Sequence, residues 1–109
     1  MSTHLAEPEI EEERQLEEET ESALEPPYKV LIHNDDVTPY EFVVHILNSI
    51  FQIEPLAAEL ITYTAHVAGV ALVTVLPRSE AESKVGKAHF AAGLEGFPLH
   101  FTIEPEESG

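Results

Sequence analysis

The sequence predicts a small α+β domain with its elements in the order β-α-α-β-α-β, preceded by an acidic extension that joins no core. Three observations carry this. Large aliphatic residues concentrate between Tyr28 and Glu104. Within that stretch the apolar period switches between two residues, as in strands, and three to four, as in helices. Proline or glycine punctuates most of the changes. Three helices covering one face of a small sheet make an α+β sandwich.

Pro26-Pro27 marks the start of the domain, and "YKVLI" follows as a strand with Tyr28, Val30 and Ile32 on one face. "HNDDV" is the loop after it. In "TPYE", Thr38 is placed as an N-cap, Pro39 as the first helical residue and Glu41 as its capping-box partner. The first helix then carries Val43, Ile46, Leu47 and Ile50 on one face and ends near Phe51. Pro55 opens a second helix with Ala57, Leu60, Ile61 and Thr64 at helical spacing, running to Ala68 with Gly69 as its C-terminal cap. "VALVTVL" is apolar on both faces, as a central strand is. Pro77 stops it. Ser79 and Glu82 repeat the capping-box pattern ahead of a third helix through Ala81, Val85, Ala88 and Ala92. Gly93 and Gly96 end that helix, and "LHFTI" alternates as the last strand.

The chain has 109 residues, 21 acidic and five basic, and no cysteine. Residues 1–27 hold ten acids against Arg14 alone, with only Leu5, Ile10, Leu16 and Leu24 as large aliphatics. Such a segment buries too little surface to offset its ordering entropy, so a flexible extension is expected, with at most a transient helix around 9–24. Residues 28–104 form the core and 105–109 a short tail. The lack of cysteine excludes disulfides and thiolate metal or redox chemistry. No apolar run is long enough to span a bilayer, and no secretory signal is visible. The negative charge repels nucleic acid and anionic membranes and favours a cationic partner.

The polar residues of interest are Asn34, Asp35 and Asp36 at a strand end and His66 late in the second helix. Residue by residue they allow three readings. A catalytic Asp–His pair lacks a nucleophile, since neither Ser49 nor Ser79 stands in a motif. A metal site would draw on His33, Asp35, Asp36 and His66, without any helical pair at ligand spacing. The third reading has Asn34 and Asp36 as turn residues and His66 facing a helix dipole.

The blocks "YKVLIHNDDVTPYEFVVHIL", "AAELITYTAH", "EAESKVGKAH" and "FPLHFTIE" resemble the ClpS adaptors of the bacterial N-degron pathway, over the whole of residues 28–104. The resemblance implies three helices packed on a three-stranded antiparallel sheet. It implies an adaptor and not an enzyme, one that binds a substrate's N-terminal Leu, Phe, Tyr or Trp. The substrate then passes to a AAA+ unfoldase, ClpA or ClpC, for degradation by ClpP. Asn34, Asp35, Asp36 and His66 would grip the α-amino group. An ammonium has three donors and no acceptor, so it needs converging oxygens and a neutral imidazole nitrogen. The implied hydrophobic pocket draws on Ile32, Thr38, Tyr40 and Val43 from one side of the sequence and on Thr62, Ala65 and Leu99 from the other. Methionine is usual in the family where Tyr40 and Thr62 stand, and valine where Ala65 stands, so a shifted ranking of first residues is expected.

The same resemblance places an unfoldase contact at Lys84, with Glu80 beside it, although Ser79 occupies the position where the family carries its acid. Residue 37, usually aromatic, is Val37. The extension resembles the flexible segment that the unfoldase engages. A monomer in the cytoplasm, without cofactor, metal, nucleic acid or membrane, is the expectation. A protein-interaction domain that modulates a AAA+ chaperone without N-degron capture is the alternative. The fold does not choose between them, being shared with the C-terminal domain of a ribosomal stalk protein.

Overall fold

The computed structural model of the protein describes residues 25–107. The extension through residue 24, including the transient helix expected at 9–24, and the last two residues of the tail lie outside the described residues. The elements run β1 (Pro27–His33), α1 (Tyr40–Ser49), α2 (Pro55–Ala68), β2 (Val70–Pro77), α3 (Arg78–Leu94) and β3 (His100–Pro105). The three strands form one antiparallel sheet in the order β2-β1-β3.

The central strand is therefore β1, and β2 is an edge, contrary to the expectation from its uniform apolarity. Ala71 and Val73 of β2 point into the core, whereas Val70 and Leu72 are 40% and 50% exposed. Lys29 brings a charge into this central strand, and its ammonium reaches Glu104 of β3 at 3.3 Å, so the charge is met across the sheet. Val30 and Ile32 are the buried pair of β1, as their alternation predicts. Prolines stand only at the strand ends, where Pro27 faces Pro77, so none of them interrupts a ladder; the β1–β2 register shifts once, between Val30 and Leu31.

Neither predicted capping box forms. Helix α1 starts at Tyr40, and Pro39 is its extended N-cap (φ −63°, ψ 145°). The carbonyl of Pro39 accepts the first bonds, from the amides of Phe42 and Val43. Thr38 lies one residue ahead of the N-cap position that Pro39 takes, and its hydroxyl donates to Asp35. Ser79 lies inside the first turn of α3, behind the N-cap Pro77, and its amide donates to the Glu25 carboxylate at 2.8 Å. Helix α1 stops at Ser49, two residues short of the expected end. Gly69 does close α2, in the left-handed region at φ 90°. Gly96, at φ 75°, ends the turn after α3, while Gly93 is still helical.

Helix α2 is rotated from the orientation its largest residues suggest. Ala58, Thr62 and Ala65 are buried, while Ala57, Leu60 and Thr64 are exposed and Ile61 is half-buried. The small face goes inward because α2 lies against both β2 and α1. Helix α3 likewise turns Ala81, Ala88 and Ala92 to the sheet, and these small residues let the backbone lie close. Phe101, 2% exposed, fills the space between, with its ring 5.2 Å from that of Phe51.

The amide of Phe101 donates to Nε2 of His89 at 3.0 Å, which ties α3 to β3. That nitrogen accepts only in the neutral ring. Burial, and secondarily the nearby His100, push the His89 pKa down. A depressed pKa leaves this contribution whole above the unfolded-state value of about 6.5. It is lost as pH falls from there through the lower folded value. Urea unfolding is expected to show less stability at pH 5 than at pH 7 from this bond, by at most about 1 kcal/mol because the ring is only partly buried. His89→Gln, which keeps an acceptor that does not titrate, should flatten the slope by that amount. An unchanged slope in the variant would contradict the assignment.

Candidate functional site

The loop after β1 has no ladder to satisfy its amides, so a side chain does so. Asp35 Oδ1 accepts from the amides of Val37 at 2.8 Å and Thr38 at 2.6 Å, and Oδ2 accepts from the Thr38 hydroxyl at 2.9 Å. Burial raises the Asp35 pKa, but these three bonds outweigh it and hold the carboxyl below its ordinary value. The loop is therefore tied at neutral pH, and the tie is lost only in strong acid, as pH falls through the lowered pKa. One residue earlier, the Asn34 amide donates to the Gly69 carbonyl at 2.9 Å. That bond joins the loop to the C-terminal end of α2, where His66 sits. Two polar groups 32 positions apart in sequence thus meet at one rim.

The rim surrounds a cavity of about 400 Å³. Its lining includes every residue that the family resemblance implied for a terminus-binding site. Asn34, Asp35, Asp36 and His66 supply the polar edge, on which all but the half-buried Asp35 are exposed. Ile32, Val43, Ala65 and Leu99 form the apolar floor, each 7% exposed or less. Thr38, Tyr40 and Thr62 complete the wall. Thr62 adds less polarity than its formula suggests, because its hydroxyl donates to the Ala58 carbonyl at 2.7 Å. Tyr40, 45% exposed, stands at the mouth, and its hydroxyl reaches the Glu59 carbonyl at 3.2 Å.

Of the two further lining residues, Tyr63 was missed by sequence reasoning, and His33 was read there only as a candidate metal ligand. Tyr63 lies three positions before His66, hence on the same helical face, and that spacing could have revealed it. His33 lines the cavity while its Nε2 lies 2.7 Å from the Thr102 hydroxyl, a cross-strand partner that only the β1–β3 register supplies.

No lysine or arginine lines the cavity, although two carboxylates do. Among the described residues, no group of three or more His, Cys, Asp or Glu is placed to hold a metal ion. No helix among them is long and apolar enough to cross a membrane. The arrangement suits a cation at the edge attached to an apolar group below.

Glu80 and Lys84 lie elsewhere, in the first two turns of α3. The Lys84 ammonium donates to the Ile50 carbonyl at 3.1 Å and to the Gln52 side-chain oxygen, with Glu80 at 3.7 Å. Its side chain is only 18% exposed, so it ties α3 to the end of α1. Glu80 is the more accessible of the pair at 41%. Val37 is 64% exposed on the cavity loop.

A family model described as "ATP-dependent Clp protease adaptor protein ClpS" matches residues 23–102. The chain is 44% identical over 90 residues to the ATP-dependent Clp protease adapter protein ClpS 2 of Rhizobium meliloti, covering 81% of this chain and 89% of that one. Its identity to the corresponding ClpS 2 of Mesorhizobium japonicum is 46% over 80 residues, covering 73% and 79%. The solved structure of Agrobacterium tumefaciens ClpS2 bound to L-phenylalaninamide superposes with a TM-score of 0.72 at 42% identity, covering 74% of this chain and 98% of that one.

Asp35→Ala removes three bonds from the loop and is expected to lower stability by about 1–2 kcal/mol in urea unfolding. Asp36→Ala breaks none of them and should stay within about 0.5 kcal/mol of the parent. Equal losses for the two would show that Asp35 does not hold the loop.

Proposed function

The chain belongs to the ClpS family of adaptors of the ATP-dependent Clp protease, and from that membership we propose that it captures proteins by their first residue. The α-amino group is held at the Asn34, Asp35, Asp36 and His66 edge, and a bulky hydrophobic side chain enters the cavity beneath. The observation that carries this is an acidic rim with no basic side chain over a hydrophobic floor. A free N-terminus brings the missing charge. Asp35 serves mainly as the fixed anchor of the loop and adds negative charge, while Asn34, Asp36 and His66 present their acceptors outward. L-phenylalaninamide, the ligand of the Agrobacterium relative, pairs an amino group with a benzyl side chain. Those two parts match the edge and the floor found here.

Substrates so captured pass to a AAA+ unfoldase, ClpA or ClpC, for degradation. Contact with that partner centres on Glu80, held in place by Lys84, because Lys84 is itself engaged within the fold. Tyr40 narrows the mouth, and Thr62 and Ala65 widen the interior. Leu, Phe, Tyr and Trp are therefore accepted in a different order from that of adaptors with methionine at the first two positions.

Titration with a peptide bearing free N-terminal Phe and with its N-acetylated twin tests the proposal. Acetylation removes the positive charge and leaves the side chain intact. Losing two charge-assisted bonds is expected to weaken binding by roughly 100-fold or more. His66→Ala should weaken the free peptide about 10-fold while leaving the unfolding curve in place. Equal binding of the two peptides would make a chaperone-modulating domain without N-degron capture the better account.

A further inference from the structure

Four large side chains of α2 stand in solvent. Leu56, Leu60, Tyr63 and Val67 are 74%, 66%, 59% and 66% exposed. Their four-three-four spacing puts them on one helical face. A continuous apolar stripe on a small domain marks an interaction site more often than isolated exposed residues do. The N-terminal part of this stripe lines a shallow groove, in which Leu56, Leu60 and Tyr63 face Tyr40, with Glu54 and Glu59 also contributing.

The groove and the cavity share Tyr40 and Tyr63. One aromatic wall separates them, and the bond from the Tyr40 hydroxyl to the Glu59 carbonyl ties it to α2. A peptide leaving the cavity in extended form rises about 3.3 Å per residue and alternates its side chains. With the first side chain in the cavity, the second points away. The third returns to the protein side about 7 Å further along, roughly the thickness of one ring wall with its contacts. Building on the terminus-capture reading, we infer that the Leu56–Leu60–Tyr63 groove is a second subsite, which seats an aliphatic or aromatic third residue of the same substrate chain. The acidic extension of this protein is a poor occupant, since Glu54 and Glu59 repel it.

Fluorescence polarisation with the full-length chain tests this with three labelled, free-ended peptides: Phe-Ser-Ser-Ser-Lys, Phe-Ser-Leu-Ser-Lys and Phe-Leu-Ser-Ser-Lys. Leu at the third position is expected to tighten binding about 5- to 10-fold over the all-serine spacer, and Leu at the second position to give no comparable gain. Leu60→Ser changes an exposed residue, so the fold is retained. It should abolish the third-position gain and leave affinity for the all-serine peptide unchanged. Equal affinities in the parent, a gain only at the second position, or a gain that survives Leu60→Ser would each overturn the subsite and leave terminus capture standing. Binding by none of the peptides would overturn terminus capture and the subsite with it. Concentration-dependent dimerisation in sedimentation equilibrium, lost in Leu60→Ser, would assign the stripe to a second copy and overturn the inference.

Discussion

The carboxylate of Asp35 is the contact on which the cavity depends. The segment between β1 and α1 has neither a strand partner nor a helical turn to satisfy its amides. One side chain accepts from two of them and from a hydroxyl. The loop then has a fixed shape at the mouth of an apolar hollow, and Asn34 is aligned to bond with Gly69. Through that bond the end of α2 is brought to the loop. A local turn motif thereby sets a long-range junction, and the polar edge of the site follows from it. Because the tie lowers the pKa of Asp35, the negative charge persists at any pH where the fold is useful.

The hollow itself is a consequence of what α2 presents inward. Ala58, Thr62 and Ala65 are small, and the hydroxyl of Thr62 is folded back onto its own helix. A helix that turned its leucines to the core would fill the space and leave no cavity. Turning them out keeps the cavity but leaves large apolar side chains in water. That is an unfavourable arrangement for a domain whose core is modest, and such surface is retained where it binds something. Cavity and exposed stripe are two results of one helix rotation.

Electrostatics point the same way on two scales. The whole chain carries a net charge of −16, which attracts cations and repels polyanions before contact. At the rim two carboxylates lie without a lysine or arginine. Three of the four basic side chains among the described residues are used differently: Lys29 bridges two strands, Arg78 lies 5.5 Å from the Tyr28 ring, and Lys84 joins two helices. Lys84 is the side chain that the family resemblance implies as a partner contact. Its ammonium already has three neighbours within the chain, whereas Glu80 keeps access to solvent.

By itself, the sequence determined the number, kind and order of the elements. Period-two and helical spacing, together with Pro55 and Gly69, are local signals that survive folding. The "NDD" loop and His66 were picked out as one polar group through the family resemblance, since residue by residue they also allowed turn, metal and catalytic readings. Tertiary structure decided which strand lies in the middle, since Val70 and Leu72 of β2 look buried in sequence while β1 carries Lys29. It decided which face of α2 turns inward, because the choice depends on room against β2 and α1 and not on hydrophobicity. It also decided that α1 begins one residue later than "TPYE" suggests, with Pro39 and not Thr38 at the N-cap. The Asp35 carboxylate takes both the amide and the hydroxyl of Thr38, and that fixes the backbone ahead of the helix.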